Sequence, residues 1–375
     1  LIAAKSRGSR KTEQKGVMRI ALIVPPFISV PPKGYGGTEL FAAQLAEGLS
    51  QIGFDVVIYT NGESTVPVEK RWIYPHTQWP IRSDIHNDLS DINHGAWAVR
   101  DAVVSCDIIH ISNAPSLVHS RFVDTPFVYT LHHAHDERLS HLYSFYPNAW
   151  YVCISEFQKK LESLPRIRTI HHGIEETQYR PGNGRREYFA YLGRIAPMKG
   201  THLAIEVAKR TGIPLKIAGE VQPMFLGYFE SQVKPHIDNQ LIEYVGEADL
   251  ALKNELLGNS LGLLFPIQWD EPFGLVMIEA MACGAPVFAL PGGSVAEIVQ
   301  DGVSGFICSS LDDMVNRAKN AGAFDPRAVR QYLVDNFSKT KMVQNYADLY
   351  MEIAGATVVA QTPGLDDVDE GRAIA

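Results

Sequence analysis

Short apolar runs alternate with stretches of helical period along most of this 375-residue chain. Residues 20–24 form one such run. Residues 38–51 then bring Phe41, Leu45, Leu49 and Ile52 to one helical face, Gly53 stops the helix, and 56–59 is a second run. Strand, helix, strand in that order predicts a βαβ unit, hence a parallel sheet covered by helices. Further strands are expected at 108–111, 127–131 and 150–154, while 61–100 shows no clear period.

The alternation breaks at 179–186 (YRPGNGRR), whose Pro, Gly and Arg content suits a linker or hinge. It then restarts, with strands expected at 188–192, 215–218, 261–265 and 287–290, a helix at 201–211 and a last amphipathic helix at 340–353. Two such halves predict an α/β fold of two Rossmann-like domains whose parallel sheets face a central cleft. The expected domains are 18–180 and 181–339, with a final helix at 340–356. Residues 1–17 are basic and lack the apolar core of a secretory signal, so they read as a flexible leader, a read-through or a cloning scar. Residues 357–375 read as a flexible acidic tail.

Composition narrows the function. No apolar run approaches the roughly 18 residues of a membrane span, and no basic amphipathic helix suited to membrane docking stands out. The net charge of −8 disfavours nucleic acid as a partner. Four scattered cysteines (Cys106, Cys153, Cys283, Cys308) suit a reducing, cytoplasmic setting.

Five motifs carry chemistry. The loop at 25–37 ends in Gly36-Gly37 before a helix, where free N–H groups and the helix dipole favour an anion. It departs from a dinucleotide fingerprint, because Glu39 stands where the third Gly belongs. Gly193-Arg194-Ile195-Ala196-Pro197-Met198-Lys199-Gly200 places two cations at a strand's carboxyl end, where open α/β sheets bind ligands. Glu271-Pro272-Phe273-Gly274-Leu275-Val276-Met277-Ile278-Glu279 sets one carboxylate before a helix and another two turns along it, at the edge of the core. Such an acid needs a partner or a ligand. Ser294 and Glu297 fit an S-x-x-E capping box, which accounts for both. Finally, His132, His133 and His135 follow a strand of the first half. A metal reading lacks a companion H-E-x-x-H or D-x-D, the only D-x-D being Asp367-Val368-Asp369 in the tail. A cleft-lining, hydrogen-bonding His132 fits better, with His110 expected to point the same way.

With these residues in view, the chain resembles the retaining glycosyltransferases of family four, which have the GT-B fold. The likeness rests on G-Y-G-G-T-E at 34–39, T-L-H at 130–132, G-R-x-x-P-x-K-G at 193–200, E-P-F-G-L-V-x-I-E-A at 271–280 and G-G-S-x-x-E-I-V at 292–299. It implies an acceptor-side first domain, a donor-binding second domain and a last helix crossing back to the first. Gly36, Gly37, Arg194 and Lys199 would meet the donor diphosphate, Glu271 the sugar hydroxyls, Glu279 the ribose, and His132 the sugar near its C6 hydroxyl. Phe273, Gly274, Leu275 and Val276 complete the implied donor site. The implied reaction moves a hexosyl group from a nucleoside-diphosphate sugar to a small-molecule or glycan acceptor.

No metal or other cofactor is expected. Arg194, Lys199 and two helix N-termini together offer about three positive charges to a departing diphosphate. A sucrose- or trehalose-type synthase on the same fold, or a non-catalytic nucleotide-sugar binder, is the alternative. Donor base and sugar, acceptor, linkage and oligomeric state are not legible.

Overall fold

A computed structural model describes residues 17–34, 36–79 and 85–360. The expectations for residues 1–16, Tyr35 and 361–375 with its D-x-D lie outside the described residues, and the last helix, Lys339–Ala360, runs four residues into the tail expected at 357–375.

Two all-parallel sheets form the body. The first holds β1 (Arg19–Ile23), β2 (Asp55–Tyr59), β3 (Glu69–Arg71), β4 (Ile108–Ile111), β5 (Phe127–Leu131), β6 (Trp150–Cys153) and β7 (Ile167–Thr169). Their spatial order is β3-β2-β1-β4-β5-β6-β7. The second holds β8 (Tyr188–Leu192), β9 (Leu215–Ala218), β10 (Ile242–Gly246), β11 (Ser260–Phe265), β12 (Val287–Ala289) and β13 (Gly305–Ile307), in the order β10-β9-β8-β11-β12-β13.

Alternation along each strand feeds two cores per sheet. In the first sheet Ile20, Leu22, Val56 and Ile58 pack against Phe41, Leu45 and Leu49 of the helix Gly37–Gln51. Ala21, Ile23, Val57 and Tyr59 pack on the other face with Ala98 and Val99 of the helix Ile85–Ala102. Ile52, expected on the apolar face of the first helix, is instead 48% exposed. It caps that helix's C-terminus, beyond the last turn that faces the sheet. In the second sheet Leu263 and Phe265 contact the side of Met277 and Met281, while Phe189 and Ile217 contact Ile205 and Val207.

Strand order reverses beside β1 in the first sheet and beside β8 in the second, and such switch points open crevices at strand carboxyl ends. The chain passes between the sheets twice, and the two crossings lie side by side. Ile174 N donates to Phe337 O (3.1 Å) and Lys339 N to Ile174 O (2.8 Å). Gly173 permits this approach, because a Cβ there would collide with the Ser338 carbonyl.

After the second crossing the helix Lys339–Ala360 returns to the first half, where Met342, Tyr346 and Tyr350 join the Phe41 core. The segment 179–186 is not a free hinge. It is bound to the second half, with Gly182 N donating to Gly258 O (3.0 Å) and Arg186 donating to the carbonyls of Ser260 and Gly284 (3.0 and 2.8 Å). Its glycines serve close packing, since a Cβ at Gly182 would collide with Asn259 Oδ1.

Candidate functional site

Loops leaving β1, β5, β8 and β11 carry the sequence-predicted residues, so the two switch points gather them at one cleft. On the first half, buried Gly36 precedes the helix Gly37–Gln51. A Cβ on Gly37 would lie 3.3 Å from Leu275 Cδ1 of the other half, so the two helix N-termini meet across the cleft. Gly274, which opens the facing helix Leu275–Ala282, has φ 81°, a left-handed conformation that suits Gly. Phe273 is buried beside it, and Leu275 and Val276 are half-buried.

The second half supplies the charges. Lys199 Nζ donates to Glu271 Oε2 (2.5 Å) and lies 4.7 Å from the Trp269 ring centre. Trp269 Nε1 donates to the same carboxylate oxygen (2.8 Å). Arg194 Nη1 donates to Gln222 Oε1 (3.2 Å), and its Nε is buried without a partner. Glu279 is 2% exposed. Its Oε1 accepts from Tyr179 Oη (3.0 Å) and Lys253 Nζ (2.9 Å), while its Oε2 is buried with no partner. A buried unsatisfied carboxylate oxygen costs about 1–3 kcal/mol, which a ligand hydroxyl would offset. Burial first, then the Glu279 charge, raises the Tyr179 hydroxyl far above its ordinary pKa, so it stays a donor.

In the first half the groups around His132 are aromatic rings. His132 Nε2 is buried and unpartnered, its ring stacked on His172 (centroids 5.4 Å apart, 8° between planes). Phe41 packs edge-on to His132, and Phe273 edge-on to His172, so a chain of rings bridges the halves. Burial, reinforced by His172, His110 and His133, holds the His132 pKa well below the imidazole range. Burial and then His171 lower His172 to about 3. Both rings are therefore neutral at physiological pH.

Other expectations are corrected. His110 does not line the cleft; its nitrogens are taken by Tyr350 Oη (2.6 Å) and Thr130 Oγ1 (2.8 Å), beneath the returning helix. His133 turns to Tyr143 Oη and His135 to Glu162, so the three neighbouring imidazoles diverge. The capping box does not form. Ser294 Oγ donates to Phe273 O (2.9 Å), and Glu297 reaches the first half, accepting from Glu156 N and Phe157 N (both 2.6 Å).

Sequence reasoning missed His172 and Asn113. Asn113 follows β4 at the switch point, with Nδ2 bonded to Asp91 and Oδ1 buried and unpartnered. A polar residue just past a strand's carboxyl end was the available signal for Asn113. His172 lies in a crossing segment that gives no such cue.

A cleft between two parallel-sheet halves, with paired carboxylates and cations at the switch point of one, defines a class: the GT-B glycosyltransferases. Residues 35–178 match Glycosyltransferase Family 4 and residues 175–320 match Glycosyl transferases group 1, and the chain belongs to these glycosyltransferases. It is 26% identical to a glycogen synthase of Mycobacterium tuberculosis, over 86% of this chain and 92% of that one. A D-inositol 3-phosphate glycosyltransferase of Mycobacterium marinum is 29% identical over 39% of this chain, about a third (34%) of that protein's length. In fold it is similar to a sucrose-phosphate synthase from Thermosynechococcus elongatus (TM-score 0.74, 20% identity, 90% of this chain and 100% of that one). It is likewise similar to Anabaena HepE in complex with UDP-glucose (TM-score 0.69, 18% identity, 89% and 100% covered). Among the described residues no helix is long and apolar enough to cross a membrane, and no three His, Cys, Asp or Glu are grouped to hold a metal ion.

Proposed function

We propose that this glycosyltransferase moves a hexosyl group from a nucleoside-diphosphate sugar to an acceptor hydroxyl, with retained anomeric configuration and without a metal. One observation carries this reading: Glu271 is paired with Lys199 while Glu279, on the adjoining helix, keeps one buried oxygen unpartnered. Glu279 Oε2 accepts from a ribose hydroxyl. Arg194 and Lys199, with the N–H groups after Gly36-Gly37 and Gly274, hold the diphosphate. Glu271 orders the sugar hydroxyls. His132, neutral and with a free Nε2, meets the sugar from the first half.

The chemistry follows from the occupied carboxylates. Glu271 and Glu279 are both engaged by cations, so neither is a free nucleophile beneath the sugar. The bond from C1 to the phosphate oxygen breaks, the acceptor oxygen bonds C1 on the same face, and its proton passes to the departing phosphate oxygen. Arg194 and Lys199 absorb the charge that develops there. Lys199 stays shared between Glu271 and the diphosphate when the donor binds, and Trp269 Nε1 keeps its bond to the same carboxylate, so Glu271 orders the hydroxyls while still paired. The four buried free thiols suit a reducing compartment.

The test is release of nucleoside diphosphate by purified protein given UDP-glucose, ADP-glucose and related donors, with and without an acceptor mixture. Release with one base and sugar is expected. No release from any donor would leave a binder rather than an enzyme, and a glycosylated carboxylate trapped in the protein would replace the same-face step by two displacements.

A further inference from the structure

Glu297 is spent neither on the donor nor on its own helix. Its turn, Val295–Ile298, is tied to the loop that carries Glu271. Ser294 N donates to Glu271 O (2.9 Å), Ser294 Oγ to Phe273 O (2.9 Å), and Gly293 N to Asp270 Oδ1 (3.2 Å). From this base the Glu297 carboxylate crosses the cleft. Oε2 accepts from Glu156 N and Oε1 from Phe157 N, at the head of the helix Glu156–Lys160. His171 Nε2, on the first crossing segment, lies 3.0 Å from Oε2.

That short helix holds the His132 loop. Gln158 Nε2 donates to the carbonyls of Leu131 (3.0 Å) and His133 (2.8 Å), the residues on either side of His132. Gln158 Oε1 accepts from Ile154 N (2.9 Å), which locks its amide orientation. Hydrogen bonds joined by two short helical turns therefore link the Glu271 loop, through Ser294, Glu297 and the helix of Gln158, to the loop of His132. Bonds from N–H groups to a carboxylate are the short, charge-assisted kind.

We propose that Glu297 is a positioning residue, a carboxylate clasp across the cleft that sets the His132 loop in register with the Glu271 loop in the closed enzyme. It touches no substrate. It acts through Gln158 on one side and Ser294 on the other, and this role rests on the transferase reading above. Every charged side chain assigned to the nucleoside diphosphate lies in the second half, so the clasp governs turnover more than nucleotide affinity.

The experiment pairs kinetics with hydrogen exchange on the full chain. Glu297→Ala is expected to lower kcat at least tenfold, with affinity for nucleoside diphosphate held within about twofold. Glu297→Gln keeps an acceptor oxygen and is expected to recover part of the lost rate. In Glu297→Ala, amides 156–157 and 131–133 exchange faster while the core of the second sheet does not. Glu156→Pro removes one donor at the first position of that helix, where Pro is tolerated, and is expected to lower kcat in the same direction with Glu297 intact. Unchanged exchange at 156–157, an unchanged kcat, or nucleotide affinity falling in step with kcat would each overturn the proposal. A wild type that binds no nucleoside diphosphate, yet shows the exchange change, would sink the transferase reading and leave the clasp standing.

Discussion

The two lips of the cleft are built on opposite principles. The lip of the second half is charged and pre-paired, Lys199 with Glu271 and Lys253 with Glu279. The opposing lip presents uncharged side chains, Phe41, His132 and Asn113 with His172 from the crossing, and the polar atoms His132 Nε2, His172 Nδ1 and Asn113 Oδ1 are buried without partners. Charge recognition thus sits in one half, and the other brings shape and uncharged hydrogen-bonding capacity. On the proposed reading, every cation a diphosphate needs is already on one side.

The sharpest way to break that contrast is Lys199→Ala. Turnover is expected to fall about 10²–10³-fold, the scale of losing one preorganised donor to developing charge, read as initial rates of nucleoside diphosphate release. A loss under threefold would remove Lys199 from the site. Glu279→Ala comes next. It should weaken nucleoside diphosphate binding by about 1.5–3 kcal/mol in a calorimetric titration, and an effect on sugar selectivity alone would displace Glu279 from the ribose.

His172→Phe probes the opposing lip. It keeps the ring and removes the buried, unpartnered Nδ1, so the melting temperature should hold or rise while turnover drops about tenfold, the size of one lost uncharged hydrogen bond. A melting temperature that falls together with turnover would make His172 a packing residue. The buried imidazoles also set a pH dependence. His110 and His172 are lowered to about 3 by burial, and His132 also lies well below its ordinary 6.5. Below pH 6.5 the unfolded chain binds protons that the folded one refuses, so stability should fall as pH drops, by up to about 1.4 kcal/mol per pH unit for each imidazole. Denaturant midpoints at pH 7 and pH 5 check the sign. Equal midpoints would place these rings in water.

Central strands were legible because they are buried on both faces, as Ile108–Ile111 and Phe127–Leu131 are. The strands Glu69–Arg71 and Ile167–Thr169 were not, being three residues long and half exposed near sheet edges. The helix Ile85–Ala102 hid for another reason: its buried side includes Asn87, Ser90, Asp91 and His94, so no apolar period marks it. At the site, the Glu271–Glu279 spacing and the Arg194–Lys199 loop are local patterns and could be read. Glu297 could not, since its local S-x-x-E fits a cap while its partner Glu156 N is 141 positions away.

The central claim is that a nucleoside diphosphate is bound by protein charges alone, with every charged side chain supplied by the second half. Calorimetric titration of the protein with UDP and ADP in EDTA tests it directly. Binding of one nucleotide, unchanged by added Mg²⁺ and weakened in Lys199→Ala and Glu279→Ala, is the predicted result. Binding that appears only with Mg²⁺, or that is undiminished by both substitutions, would contradict it.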